Sequence, residues 1–224
     1  MHFLRSTEFI QRSTTGVFLG FGFWITLVYL PPICFSLLLI LILVLIIIFE
    51  WTAFFPIAKP TFWALMPIYL IIPFGMLISL NHNPVYHELL YILFMLVFSF
   101  DTGSYLAGSL CGKTPIWHTV SPKKTWEGVI GGFVCAYAGF IFIVCEQHYI
   151  AYWHKMTFIT CIVCILALAG DLFESYLKRQ AHMKDSGKLL PGHGGLLDRF
   201  DGIIFAVFFF YLFKDSLIIF LTKA

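Results

Sequence analysis

The hydrophobic positions of this chain form long uninterrupted runs, unlike the alternating pattern of strands or the one-sided pattern of surface helices. No charged residue occurs between Arg12 and Glu50, and further apolar runs follow. A helix needs about 20 apolar residues to cross a bilayer, so these runs predict transmembrane helices. The predicted spans cover residues 14–30, 32–49, 60–80, a run from Leu89, 128–145, a run from Met156, and 202–221. The pattern therefore predicts an all-α, polytopic membrane helix bundle with about seven transmembrane helices.

The runs follow one another closely enough to form a single membrane domain over residues 1–224. Residues 1–90 supply N-terminal spans, and residues 91–224 contain most of the polar segments that suggest chemistry. Pro31 and Pro32 separate the first two spans, because adjacent prolines remove two backbone donors from a helix. Arg5 and Arg12 precede the first run as in a signal peptide, but no small-residue cleavage site follows. We therefore expect a retained first span.

Composition supports a membrane protein and excludes an ordinary soluble domain. Hydrophobic residues make up 60% of the chain and charged residues only 12%, whereas soluble domains are about 25% charged. The six cysteines include Cys161-x-x-Cys164, which lies within a predicted span without a second ligand pair. We interpret the cysteines as small apolar residues rather than metal ligands. We expect the lipid bilayer as a partner and no nucleic acid; a homodimer is compatible with the sequence, which does not determine oligomeric state.

The basic residues are distributed unevenly between the two sides of the predicted bundle. With seven spans, the opposite side carries only Lys155, Lys214 and Lys223. Cytoplasmic loops are enriched in Lys and Arg, so the basic side is expected to face the cytoplasm, in a bacterial inner membrane. The basic side carries Arg5, Arg12, Lys59, Lys113, Lys123, Lys124, Lys178, Arg179, Lys184, Lys188 and Arg199.

Four aspartates interrupt or precede spans on this same side: Asp101, Asp171, Asp198 and Asp201. The span directions bring them to one depth, near the cytoplasmic interface. Carboxylates in a bilayer are costly, so their persistence indicates facing cations. Asp171, Glu174, Ser175 and Lys178 share one helix face, which indicates the wall of a polar cavity.

The remaining acids of the spans need no such explanation. Glu8, Glu50, Glu88 and Glu146 are interpreted as ordinary helix-end charges that reach water.

The chemistry suggested by this pattern is binding of a hard cation together with phosphate. Carboxylates beside Lys and Arg, without a His/Cys ligand set, suit Mg²⁺ bound with phosphate groups. Segments 108–113 and 121–128 place small residues beside lysines, so that backbone can approach an anion closely. Packing between helices is an alternative explanation for Gly108-x-x-x-Gly112.

The charged stretch 175–201 resembles the signature of the phosphatidate cytidylyltransferases, also called CDP-diacylglycerol synthases. The resemblance rests on Ser175-x-Leu177-Lys178-Arg179, Lys184-Asp185-x-Gly187 and Leu190-Pro191-x-His193-Gly194-Gly195-Leu196-x-Asp198-Arg199-Phe200-Asp201. Segments 101–113, 121–128 and 170–175 are similar to other polar segments of the family. The resemblance covers about the last 125 residues, and only hydropathy supports it in the first 90.

The resemblance implies transfer of the cytidylyl group from CTP to phosphatidic acid, in phospholipid biosynthesis, with Mg²⁺ in a site that could hold a second divalent or monovalent cation. It implies metal ligands at Asp171 and Asp198, with Asp201 and Asp101 close by. Lys178, Arg179 and His193 join Asp171 and Asp198 as expected catalytic residues. The expected substrate-binding residues are Lys113, Ser121, Lys123, Lys124, Glu127, Ser175, Lys184, Asp185, Gly194, Gly195 and Arg199.

Two other functions are compatible with parts of this pattern. A CTP-dependent polyprenol or phytol kinase also works on phosphate at a membrane, but its alcohol acceptor calls for a general base, and this loop offers only His193. An ion transporter would instead place charges near mid-membrane in discontinuous helices. The charges here gather on one side, which favours the cytidylyltransferase.

Overall fold

The fold is a bundle of membrane helices with one small hairpin. The computed structural model describes residues 20–147, 152–183, 186–187, 189 and 194–222. Within them, residues 20–28 are helical, and a three-residue 3₁₀ helix covers Leu197–Arg199. The all-α fold class is confirmed. The longer helices are α1 (Pro32–Phe54), α2 (Pro60–His82), α3 (His87–Cys111), α4 (Trp126–Gln147), α5 (Trp153–Gln180), α6 (Asp201–Leu212) and α7 (Lys214–Thr222).

Helices α1 to α5 are each long and apolar enough to cross a membrane, and α6 and α7 qualify only as a pair. The described part of the chain thus holds five candidate spans, or six with that pair, as expected of an integral membrane protein. The predicted seventh span over 202–221 is divided into two helices, because α6 and α7 meet at a bend of 79°. The predicted first span, 14–30, begins outside the described residues.

The segment between α3 and α4, predicted as a glycine-bearing loop, contains an antiparallel hairpin of β1 (Pro115–Trp117) and β2 (Ser121–Thr125).

The two helices that flank the hairpin, α3 and α4, pack closely along a seam of small residues. A Cβ on Gly103 would lie 2.6 Å from the Cβ of Cys135, and one on Gly132 would overlap Ser104. Such residues let two helix backbones approach in a bilayer. Gly108 lies against Thr125 and Gly128 in the same seam, which supports helix packing for the 108–112 segment.

Helices α5 and α6 also approach at backbone distance, and they do so beside two of the aspartates. A Cβ on Gly170 would overlap the carbonyl oxygen of Asp201, and a Cβ on Gly202 would lie 3.2 Å from the Cβ of Ala167. Asp171 follows Gly170 directly in the chain, so this contact brings Asp171 and Asp201 to the same level of the bundle.

Aromatic rings connect these helices to the N-terminal spans. The ring of Trp51, fully buried near the end of α1, stacks on Tyr69 of α2 with centroids 5.9 Å apart. Tyr69 in turn contacts Phe173 of α5 at 5.2 Å, and Phe173 contacts Phe205 of α6 at 5.6 Å. Trp51 also donates a hydrogen bond from Nε1 to the carbonyl oxygen of Phe62, at 3.3 Å. The end of α1 is thereby held against the helices that supply the charged residues.

Helix α7 packs near the beginnings of α3 and α5, away from the helix ends that carry the aspartates. Lys155, near the start of α5, donates a hydrogen bond to the carbonyl oxygen of Phe220 at 3.0 Å. Asp215 accepts a hydrogen bond from Tyr86, which precedes α3. Lys155 and Lys214 therefore lie at the same end of the bundle, as the predicted order of spans requires.

Candidate active site

A polar cavity of about 460 Å³ opens between α3, the hairpin, α5 and the 3₁₀ helix. All four aspartates that the sequence predicted to converge line this one cavity. Five further predicted site residues share its wall, each with a side chain suited to binding phosphate. The predicted residues that line the cavity are Asp101, Ser121, Lys123, Lys124, Asp171, Lys178, Asp198, Arg199 and Asp201.

The cavity is recessed from the ends of α3 and α5. Asp101 comes ten residues before the end of α3 at Cys111, and Asp171 comes nine residues before the end of α5 at Gln180. At 1.5 Å per residue these separations are about 15 and 14 Å. A bound group would therefore lie about two to three turns from the ends of α3 and α5, beside Asp201 at the start of α6.

Lys124 of β2 brings the hairpin into contact with α5. Its ammonium forms an ion pair with Asp171, and the two side chains keep 28% and 18% of their surface exposed. Burial lowers the pKa of Lys124, although Asp201 and Asp101 oppose that change by favouring the charged form. The hairpin thus supplies a cation that faces three of the four aspartates.

Lys178 of α5 holds two acids together. Its Nζ donates a hydrogen bond to Asp198 Oδ1 at 2.7 Å and lies 3.4 Å from Glu174 Oε2. The Glu174 side chain is fully buried, one helical turn before Lys178. The sequence placed Glu174 on the polar face of this helix without assigning it a role, and the structure makes it part of the same charge cluster.

Asp198 is oriented by both side-chain and backbone donors. Its Oδ2 accepts hydrogen bonds from the N–H of Gly195 at 2.8 Å and of Ser186 at 3.3 Å. Burial alone would raise the pKa of Asp198. The Lys178 ammonium and the Gly195 N–H lower it by more than burial raises it, so the pKa lies below its usual value. Asp198 is consequently an ionised carboxylate with a fixed orientation toward the cavity.

Two predicted site residues hold the hairpin in place and do not line the cavity. Arg179 donates hydrogen bonds to the carbonyl oxygens of Val120 and Met183, at 3.1 and 3.2 Å. Glu127 accepts hydrogen bonds from the backbone N–H groups of Lys113 and Thr114, each at 3.2 Å.

The other predicted residues lie either outside the cavity lining or outside the described part of the chain. Lys113, Ser175, Gly194 and Gly195 are described and do not line the cavity. Lys184, Asp185 and His193 belong to the residues that the structure does not describe. Their roles in substrate binding or catalysis stay predictions.

The sequence interpretation missed Glu50, and its assignment as a solvent-reaching helix-end charge is wrong. Glu50 is fully buried, in a π-helical segment of α1 at Ile46–Trp51. It accepts hydrogen bonds from the backbone N–H groups of Leu196 and Leu197 and from the Ser186 hydroxyl. These partners are 136–147 residues away in the chain, so no local pattern could distinguish Glu50 from Glu88 or Glu146.

The donor chemistry of the cavity fits a magnesium ion. Among the described residues, no three His, Cys, Asp or Glu side chains come close enough to enclose a metal by themselves. Mg²⁺ does not require such a cage, since it is usually bound by one or two carboxylates together with water and substrate phosphates. Asp171 and Asp198 supply two such carboxylates, and the cavity has room for phosphates beside them.

Comparison with known proteins shows which family shares this arrangement. The sequence model of the Cytidylyltransferase family matches residues 57–217, which include every residue lining the cavity. The chain belongs to this family. The expected class, a membrane-embedded nucleotidyltransferase, is thereby confirmed.

Alignments of this chain with curated relatives of the family cover different shares of each relative. A phosphatidate cytidylyltransferase of Rickettsia bellii is 33% identical over 201 residues, or 86% of this chain and 85% of the relative. The enzyme of the same name from Haemophilus influenzae is 44% identical over 139 residues, 59% of this chain and 48% of the relative. That from Staphylococcus saprophyticus is 43% identical over 120 residues, 52% of this chain and 46% of the relative. The chain therefore aligns with most of one relative and about half of the others.

We predict that Lys178→Met destabilises this cytidylyltransferase as well as inactivating it. The substitution keeps an apolar stem but leaves Asp198 and buried Glu174 without their shared cation, and breaking a buried pair costs about 3–5 kcal/mol. The thermal unfolding midpoint in detergent measures the effect. Lys123→Met, at an exposed position on the cavity wall, is the matched control. Equal midpoints for the two variants would contradict the pairing described here.

Proposed function

We propose that this protein is a phosphatidate cytidylyltransferase, which transfers the cytidylyl group of CTP to phosphatidic acid and releases pyrophosphate. Family membership and the activity named for its relatives support this reaction. The observation that carries the proposal is one recessed cavity with four aspartates, three of the predicted lysines and Arg199 on its wall. Such a cavity suits two phosphate-bearing substrates, one soluble and one lipid, that must meet at a membrane.

The reaction needs alignment and charge neutralisation more than a strong base. A phosphate oxygen of phosphatidic acid attacks the α-phosphorus of CTP, the new O–P bond forms, and the bond to the β-phosphate oxygen breaks, releasing pyrophosphate. The attacking oxygen is already anionic, so no proton has to be removed from it. Holding the two phosphates in line and stabilising the charge that develops then supplies most of the catalysis.

The lysines of the cavity are suited to this task because they can exchange partners. Lys124 is paired with Asp171, and Lys178 with Asp198. A triphosphate or a lipid phosphate that enters the cavity offers these ammonium groups an alternative anion. Lys123, Arg199 and the Ser121 hydroxyl lie on the same wall and can bind further phosphate oxygens.

Magnesium is the proposed cofactor. Asp171 and Asp198 would hold it, with Asp201 and Asp101 close enough on the cavity wall to assist with it or with a second divalent or monovalent cation. When bound, the metal would neutralise phosphate charge and help to align the reacting groups. Lysines released from the two aspartates would then be available to the substrates.

We propose that the protein resides in a bacterial inner membrane with its cavity facing the cytoplasm. The basic side of the predicted topology supports this orientation, because Lys and Arg concentrate in cytoplasmic loops. CTP is also a cytoplasmic nucleotide, so the soluble substrate would have direct access. A homodimer remains a prediction.

The reaction can be tested by its products. Purified protein supplied with CTP, Mg²⁺ and phosphatidic acid is expected to form CDP-diacylglycerol and equal amounts of pyrophosphate. Thin-layer chromatography of labelled lipid and a pyrophosphate assay measure both products. Release of CDP with phosphorylation of an added polyprenol would favour the kinase. Ion flux in liposomes without nucleotide would favour transport.

Removal of divalent cations is predicted to abolish the reaction. We expect no product in EDTA and recovery with Mg²⁺ or Mn²⁺ but not Zn²⁺, because oxygen ligands without His or Cys favour the harder ions. Product formation after chelation and dialysis measures the effect. Full turnover in EDTA would refute the metal proposal while leaving the transfer reaction itself in place.

Replacing either proposed metal ligand is predicted to inactivate the enzyme. Asp171→Asn and Asp198→Asn each keep side-chain size but remove a charge, so we expect kcat to fall by about 10³-fold or more. The two losses should not add in the double variant, because one substitution already disables the shared site. Asp215→Asn, at the far end of the bundle, is the control and should stay within about threefold of wild type. Near-normal turnover of folded Asp171→Asn would contradict the assignment.

A further inference from the structure

Glu50 binds a loop that is distant in sequence and adjacent to the cavity. Its Oε1 accepts a hydrogen bond from the N–H of Leu196 at 2.6 Å, and its Oε2 accepts one from the N–H of Leu197 at 2.8 Å. The Ser186 hydroxyl adds a third hydrogen bond to Oε2, at 3.1 Å. Three donors thus surround a fully buried carboxylate, and no ion pair to Glu50 occurs in the described part of the chain.

The loop bound by Glu50 is the same loop that orients Asp198. Ser186 donates its hydroxyl to Glu50 and its backbone N–H to Asp198. Gly195 donates to Asp198, and the next two N–H groups, of Leu196 and Leu197, donate to Glu50. Two carboxylates therefore bind the same two pieces of backbone, at Ser186 and at Gly195–Leu197, and of the two only Asp198 lines the cavity.

The surroundings of Glu50 show that it has little freedom to move. The next residue, Trp51, is anchored by its ring contacts and by the Nε1 hydrogen bond to Phe62. On the loop side, a Cβ on Gly187 would lie 2.8 Å from Glu50 Cγ, so the loop backbone packs directly on the glutamate stem. A carboxylate held this rigidly can determine where the loop lies.

We propose that Glu50 is a positioning residue for the cytidylyl-transfer site: it fixes the backbone at Ser186 and at Gly195–Leu197, and thereby sets the position of Asp198. Glu50 belongs to α1 and lies before residue 57, where the match to the family model begins. The proposal therefore gives α1 a part in the geometry of the site. Its effect on turnover rests on the proposed function, whereas its effect on the loop does not.

The first test compares Glu50→Gln with Glu50→Asp. Gln keeps the length but replaces one acceptor oxygen with an amide NH₂ that faces a donor, whereas Asp keeps both acceptors on a shorter stem. We expect kcat for Glu50→Gln to fall about tenfold to a hundredfold, the range for a lost hydrogen bond to a charged group. Glu50→Asp should recover part of that loss. Glu146→Gln, which alters a membrane-helix acid bonded to Tyr91, is the matched control and should resemble wild type.

The second test measures the loop directly, by hydrogen–deuterium exchange and mass spectrometry in detergent without substrates. In Glu50→Gln the amides of Leu196 and Leu197 lose their acceptor, so peptides covering 194–199 should exchange about tenfold faster or more. Peptides from α3 and α4 should exchange as in wild type. This local pattern distinguishes positioning from general loss of stability.

Gly187→Ala provides an independent variant that keeps the glutamate. The added methyl group would press on the Glu50 side chain, so we expect the same local increase in exchange and a smaller loss of kcat. Gly75→Ala, where an added methyl group meets nothing within 4 Å, is its matched control. If Glu50→Gln fails to fold, Gly187→Ala and Glu50→Asp still test the proposal.

Two results would overturn the inference. One is wild-type exchange at 194–199 in folded Glu50→Gln or Gly187→Ala. The other is faster exchange spread evenly over α3, α4 and the loop. If the wild-type protein makes no CDP-diacylglycerol while the variants show the local exchange pattern, the proposed reaction is refuted and the effect of Glu50 on the loop is supported.

Discussion

The arrangement of this protein depends on one constraint: a carboxylate inside a membrane bundle must be matched by a donor or a cation. Lys124 meets Asp171, Lys178 meets Asp198 and Glu174, and the backbone of Leu196 and Leu197 meets Glu50. Except for the pair of Lys178 and Glu174 within α5, each match joins segments that are separate in sequence. The hairpin, α5, the loop before α6 and α1 are thereby fixed relative to one another by the same charges that create the cavity.

Much of the fold and part of the site could be predicted from the sequence. They depend on local runs of apolar residues and on the direction in which each span crosses the membrane. Span positions follow from run length, which is local, and the described helices α1 to α5 cover the five predicted runs between residues 32 and about 175. The convergence of Asp101, Asp171 and Asp201 follows from alternating span directions, which require no knowledge of side-chain packing.

The features that escaped prediction depend on contacts between distant residues. The burial of Glu50 becomes evident only once Ser186, Leu196 and Leu197 are placed against α1. The hydrogen bonds of Arg179 to Val120 and of Glu127 to Lys113 likewise require the hairpin, which is too short and too polar for a clear strand pattern. The family resemblance implied catalysis for Arg179 and substrate binding for Glu127, and only their neighbours in space indicate a supporting position.

The bend between α6 and α7 has a consequence for membrane insertion. Helix α6 has 12 residues and is about 18 Å long, against about 30 Å of hydrocarbon. It also begins at a buried aspartate, in backbone contact with Gly170 of α5. A segment this short and acid-tipped gains too little from lipid to enter alone. The buried start of α6 therefore depends on its backbone contact with α5, and the wall of the cavity that Asp201 supplies requires α5 to be in place.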